Sequence, residues 1–315
     1  MSKKPSVKGL KLLSGLKAGD LVDIVSPGSS SRMDDVDQAL ELIESWGLRA
    51  RLPKETFSAH PFHSNEDSVR LKLLKKALLA KDSKMVWCLR GGYGANRLLP
   101  ELWKMKAPAK TKILMGYSDI TSLLFWLNQK WKWTSLHGPL LESLISGRLA
   151  ISQIEECRRI LFGEQKEQVF AIQPMNMSAK KIKQVRAAVT GGNLVVLDSS
   201  VGTPFDWNPD GKIIILEEVG ERGYRVDRML EHLRQAKKLD KVKAVIFGDF
   251  LGGEERDGST QVSFALERFA YQSKVPCFSG LETGHGAANR ILSFGSVAEL
   301  SPKTLTLDTG IQGDL

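Results

Sequence analysis

Between residues 21 and 136 the chain alternates short aliphatic runs with stretches of helical apolar period. That alternation constrains the fold more than any other feature. The runs at 21–26, 49–52, 85–89, 113–115 and 131–136 read as strands, and the spacing predicts helices over 33–46, 66–80 and from 120 onward. Strands joined through helices pair in parallel, with the helices covering the faces of the sheet. The expected class is therefore α/β, opening with a largely parallel open sheet flanked by helices. Ser31 and Asp34 are spaced as a capping pair for the helix over 33–46, and Gly47 follows its end.

The second half reads as mixed β and α. Residues 140–162 are expected to be helical, 163–177 show no clear period, and 178–183 carry Lys180, Lys181 and Lys183. The expected division is an N-terminal domain over 1–165, a linker over 166–183 and a C-terminal domain over 184–315. Within the last, strands are expected at 185–190, 212–216, 242–250, 275–278, 297–300 and 304–307, with helices over 222–236 and 263–271.

Composition narrows the setting. No apolar run among the 315 residues approaches membrane-spanning length. The basic start, with Lys3, Lys4, Lys8, Lys11 and Lys17, lacks the continuous apolar core of a secretory signal. Cys88, Cys157 and Cys277 are odd in number, far apart and without metal-ligand spacing, which fits a reducing compartment. A cytoplasmic protein with no membrane partner is the expectation. The net charge of +9 favours an acidic partner. Nucleic acid is not expected, because the basic runs are not interleaved with aromatics and no nucleic-acid module appears. His60 and His63 have metal-like spacing but no third ligand, so no metal is expected. Gly92-Tyr93-Gly94-Ala95-Asn96-Arg97 covers half of a dinucleotide fingerprint, but Arg97 stands where the third glycine belongs, so no nucleotide cofactor is expected.

Three turns at strand ends carry groups fit for chemistry. Ile113, Leu114 and Met115 end a strand, Gly116-Tyr117-Ser118-Asp119 turns the chain, and Ile120, Leu123, Leu124 and Leu127 fall at helical spacing. A serine at such a turn stands at the rim of the sheet, before the unpaired N–H groups of a helix start. Ser or Asp in this place also serves as an N-cap, and these residues alone leave both roles open. His285, between Gly284 and Gly286, is accessible enough for a general base, and equally suits a surface turn. Glu217 and Glu218 end an aliphatic run, and neighbours on a strand face opposite sides, so at most one can orient a histidine. Serine needs a base to take its proton, and the base needs a carboxylate to fix its tautomer. An oxyanion needs donors. The N–H of Asp119 and the glycine loop 90–94, with Gly92, are the candidates.

The ordered set Arg90-Gly-Gly-Tyr-Gly94, Gly116-Tyr-Ser-Asp-Ile-Thr121, His137-Gly-Pro139, Gly191-Gly-Asn-Leu194, Gly202-Thr203, Leu216-Glu-Glu-Val219 with Tyr224-Arg-Val-Asp-Arg228, and Gly284-His-Gly286 closely resembles the LD-carboxypeptidase family. These are the murein tetrapeptide carboxypeptidases, whose relatives include the microcin C immunity peptidase. The motifs span about residues 20–300. The resemblance implies a metal-free serine peptidase with Ser118 as nucleophile, Glu217 as carboxylate and His285 as base, in a cleft between two domains. The family often has Asp where this chain has Glu218. It also implies a homodimer that releases terminal D-alanine from a peptidoglycan tetrapeptide during cell-wall turnover. Hydrolysis of a peptidyl-nucleotide, with a ring such as Trp207 as base platform, and non-catalytic muropeptide binding are the alternatives. A free chain end calls for a guanidinium, and Arg90, Arg97, Arg225 and Arg228, with Tyr93 beside the first two, are the candidates.

Overall fold

The structure, a computed structural model, describes residues 11–313. Lys3, Lys4 and Lys8 of the basic start lie outside them. Two sheets carry the fold. The first has six strands in the order Leu292–Phe294, Ser135–His137, Ile113–Gly116, Ser83–Cys88, Leu21–Val25 and Arg49–Arg51. Its last five pair in parallel, and Leu292–Phe294 joins antiparallel. Counted along the chain, the parallel strands follow a doubly wound order whose direction of winding reverses beside Leu21–Val25. The second sheet has eight strands around a parallel centre of Val185–Asn193, Ile213–Val219, Ala244–Leu251 and Cys277–Ser279. A two-stranded ribbon pairs Leu13–Ser14 with Ile311–Gln312.

Apolar burial explains the elements. Helix Met33–Ser45 buries Val36, Ala39 and Ile43 at helical spacing, and Gly47, at φ 74°, ends the turn after it. Helix Gly223–Gln235 buries Val226, Met229, Leu230 and Leu233. Helix Thr121–Trp126 is buried at every position. Leu123, Leu124 and Phe125 there contribute roughly 1.5–3 kcal/mol each by leaving water. This helix packs against the strand Val185–Asn193 and the helix Leu194–Ser200 of the second sheet, so one apolar core runs through both halves.

Several expectations need correction. Residues 166–183 are no linker: they form strands Glu167–Ala171 and Gln173–Pro174 and helix Met177–Lys181, and the two strands edge the second sheet. In Glu167–Ala171 the buried residues are Gln168 and Phe170 while Val169 is exposed, so the polar–apolar alternation that would betray the strand is scrambled. The helix over 140–162 is two helices, Leu141–Ile145 and Ile151–Leu161, parted by Gly147 at φ 73°. The strand over 131–136 shrinks to Ser135–His137, because Trp131 ends the preceding helical turn with its ring between Trp126 (4.6 Å) and Trp133 (4.9 Å). Arg32, not Ser31, is the N-cap of the first helix, and no side chain caps it.

Among the described residues no helix is long and apolar enough to cross a membrane.

Candidate active site

The carboxyl ends of both parallel sheets meet, and the candidate residues stand there. From the first sheet come Pro27-Gly28-Ser29, the loop 90–94, Ser118 and His137. From the second come Asn193, Glu217, Asp249 and the loop after Cys277–Ser279 that holds His285.

The Ser118 turn is tight. Strand Ile113–Gly116 passes at once into the helical turn Ser118–Ile120, and Ser118 takes φ 61°, a left-handed conformation that costs a non-glycine residue about 1–2 kcal/mol. A Cβ on Gly116 would lie 3.0 Å from two carbons of Ile120. Gly116, two residues before the serine, therefore makes room for Ile120, two residues after it. Ser118 is partly buried and its hydroxyl makes no hydrogen bond among the described residues.

Asp119 is no cap. It is buried, and its Oδ2 accepts the N–H of Ala95 at 2.8 Å, tying the turn to the glycine loop. Burial pushes its carboxyl up to about 6 against the pull of those backbone N–H groups. A Cβ on Gly28 would stand 2.8 Å from Asp119 Oδ2 and one on Gly91 would stand 3.0 Å from Ser118 Cβ. Three strand ends thus touch backbone to side chain. Ser29 N–H donates to Gly91 O at 2.9 Å, and buried Arg70 donates to Gly94 O at 3.1 Å and to Pro27 O. The N–H groups of Gly92 and Asp119 have no acceptor among the described residues, which leaves both free for an oxyanion.

His285 Nδ1 and Glu217 Oε2 are 2.7 Å apart, with the carboxylate fully buried. The imidazole lies against the ring of Tyr117, the residue before Ser118, with centroids 4.7 Å apart. Glu218 faces the other way. It accepts from Asn193 Nδ2 (3.0 Å), Val195 N (2.8 Å) and Val219 N (2.9 Å), and burial pushes its carboxyl up to about 7. Asn193 N–H in turn donates to Thr121 Oγ1 at 3.0 Å, from one half of the chain to the other.

The four arginines differ. Arg97 is committed to Asp67, with Nε at 2.8 Å, and Arg225 is paired with Glu221. Arg90 donates to Ser30 O at 3.0 Å and keeps its remaining donors, with Glu142 3.6 Å away. Arg228 rests on the face of Tyr224 and makes no ion pair among the described residues. Tyr93 is half exposed within the glycine loop. His60 and His63 stack on each other at 4.6 Å, and no cluster among the described residues is placed to hold a metal. Trp207 is buried and offers no open face.

Two neighbours of this group were not among the candidate site residues, though His137 opens one of the family motifs. His137 is fully buried at the end of its strand, with neither ring nitrogen bonded, and burial holds its imidazole down at about 4. Asp249 accepts the N–H of Gly286, the residue after His285, at 2.9 Å.

The sequence profile of the LD-carboxypeptidase N-terminal domain matches residues 22–138, and that of the C-terminal domain matches 186–300. A putative carboxypeptidase of Rickettsia prowazekii (strain Madrid E) is 37% identical over 246 residues, 77% of this chain and 76% of its own. The chain belongs to the LD-carboxypeptidase family. A murein tetrapeptide carboxypeptidase of Pseudomonas aeruginosa is 29% identical over 90% of this chain and 94% of its own. The fold also matches the solved microcin C7 self immunity protein MccF, with TM-score 0.78, 18% identity and coverage of 94% of this chain and 98% of that one. The two LD-carboxypeptidase profiles leave out 139–185, where the chain crosses from one sheet to the other and lays down the edge strands that had looked like a linker.

Proposed function

We propose that this chain is a serine LD-carboxypeptidase that releases terminal D-alanine from a peptidoglycan tetrapeptide. The observation that carries it is the 2.7 Å contact of His285 with buried Glu217, beside a serine held at φ 61° on the next residue to Tyr117. Family membership and the name of the Pseudomonas aeruginosa relative support the substrate class. In this reading Ser118 attacks the scissile carbonyl while His285 takes its proton and later gives it to the departing amino acid. Glu217 holds the imidazole in the tautomer with the proton on Nδ1 and stabilises the imidazolium. The N–H groups of Gly92 and Asp119 receive the oxyanion. The chemistry needs no metal or cofactor. A homodimer is part of the same proposal.

The free carboxylate of the substrate falls to Arg90 or Arg228: Arg97 and Arg225 hold carboxylates closely, Arg90 meets Glu142 only at 3.6 Å, and Arg228 makes no ion pair among the described residues. Replacing the responsible arginine by Lys should reduce kcat/KM for the free acid and spare an amidated analogue.

The purified protein should release D-alanine from the tetrapeptide and not from the tripeptide or pentapeptide, and Ser118→Ala should abolish release while keeping the fold. Residual activity within about tenfold of wild type in that variant would remove Ser118 as nucleophile. Failure of a fluorophosphonate to label the wild-type protein would favour a non-catalytic muropeptide binder. The peptidyl-nucleotide alternative loses Trp207 as its platform, because that ring is only 1% exposed.

A further inference from the structure

We infer that Asp249 is a positioning residue for His285, anchoring the backbone of the loop that presents the imidazole. The inference rests on the proposed role of His285 as base. Asp249 lies on Ala244–Leu251, the strand beside the one that carries Glu217. It grips the loop at both sides of the histidine. Its own N–H donates to Thr283 O at 2.9 Å, and its Oδ2 accepts from Gly286 N at 2.9 Å.

The fit is close enough to dictate the sequence. A Cβ on Gly284 would stand 2.9 Å from Asp249 Cβ and 3.3 Å from Glu217 Cβ. One on Gly286 would stand 2.5 Å from Asp249 Oδ2, and one on Gly248 would stand 2.5 Å from Thr283 O. Gly284 also takes φ 131°, open only to glycine. The glycines on both sides of His285 are thus there to let the loop lie on Asp249.

The chemistry gives this contact a purpose. Glu217 fixes one ring nitrogen, but a single hydrogen bond does not fix where the ring's own backbone stands. A misplacement of about 1 Å at a reacting group costs on the order of 100-fold in rate. The charged and titratable groups around the imidazole are Glu217, Asp249, His137 and Tyr117, with Glu282 adding its field to Asp249. Burial and the charge of Glu217 push the Asp249 carboxyl up, while the Gly286 N–H pulls it down.

The test compares Asp249→Ala and Asp249→Asn in the full chain. Asn keeps an oxygen to accept from Gly286, and Ala does not. The expected result is a kcat about 10- to 100-fold lower in Asp249→Ala with KM within about twofold, and a kcat within about threefold of wild type in Asp249→Asn. Amide exchange at Gly286, read by NMR, should be slow in wild type and Asn and fast in Ala. This readout needs no substrate, so a protein inactive on the peptide would end the proposed function and leave the anchoring role testable. Wild-type kcat in the Ala variant, a fall in Asn as deep as in Ala, or unchanged Gly286 exchange in Ala would each overturn the inference.

Discussion

Glu217 and Glu218 are neighbours in the chain and serve opposite sides of their strand: the first meets His285 Nδ1 at 2.7 Å, the second meets Asn193 Nδ2 at 3.0 Å. Strand geometry imposes the split, since successive side chains point to opposite faces. Substitution should separate them by what is lost. Glu217→Gln should lower kcat by roughly 10²–10⁴-fold with little change in thermal midpoint, because the imidazole loses its tautomer control. Glu218→Gln should lower the midpoint and leave kcat within a few-fold at a temperature where the protein is folded. Steady-state kinetics and calorimetry on the same preparations check both, and reversed effects would exchange the two roles.

Buried carboxyls also set a pH dependence. The Glu218 carboxyl is raised in the folded protein from 4.5 to about 7, and that of Asp119 from 3.8 to about 6. Below the unfolded values both are protonated in either state. As pH rises from about 4 to 7 the unfolded chain releases these protons first, so their contribution to stability falls, by at most about 1.4 kcal/mol per pH unit each. The difference in unfolding free energy between wild type and Glu218→Gln should therefore shrink steadily between about pH 4.5 and 7. Urea titrations at four pH values read it, and a constant difference would contradict the raised carboxyl.

Gly91 is where bulk should hurt Ser118 alone. Its φ is not left-handed, so alanine fits the backbone, but the added Cβ would lie 3.0 Å from Ser118 Cβ and 3.2 Å from its Oγ. Gly91→Ala should slow fluorophosphonate labelling of Ser118 by about tenfold or more while keeping the thermal midpoint within a few degrees. Labelling at the wild-type rate would show that the serine has room to yield.

Thr121 ties the halves together. Removing its hydroxyl in Thr121→Val strands the buried N–H of Asn193, which should cost about 1–3 kcal/mol. Chemical denaturation measures this directly. A cost below about 0.5 kcal/mol would mean that another acceptor takes the N–H.

The sequence made the five parallel strands of the first sheet readable because they are short aliphatic runs between helices, and the Ser118 turn because strand, turn and helical period follow within fifteen residues; Leu292–Phe294, which joins that sheet from the far end of the chain, was not expected. Glu167–Ala171 was hidden by its inward Gln168 and outward Val169, and its partner Thr304–Asp308 lies some 130 residues on. The places of His137 and Asp249 were unreadable for another reason. Asp249 sits inside an otherwise ordinary strand, and its meaning comes from the loop of His285 laid against it; His137 opens one of the family motifs, but only the fold shows that it ends a strand beside the site. The paired glycines around His285 were a visible signal, but not of which side chain required them. Asp119 reads locally as a helix cap, and only the glycine loop turned it inward.

Leu292–Phe294 completes the first sheet beside His137, and after Gly295 and Ser296 the chain resumes as Val297–Leu300 in the second. Two residues, Gly295 and Ser296, span the gap between sheets, ten and eleven residues after His285. A hinge needs slack, and here there is none on the side of the histidine. The sheet that carries Ser118 and the sheet that carries His285 are stapled there, so parting them on that side would have to break strand pairing. The same staple makes the chain indivisible: a fragment ending before residue 185 would leave the edge of Ser135–His137 bare, an unpaired strand open to aggregation.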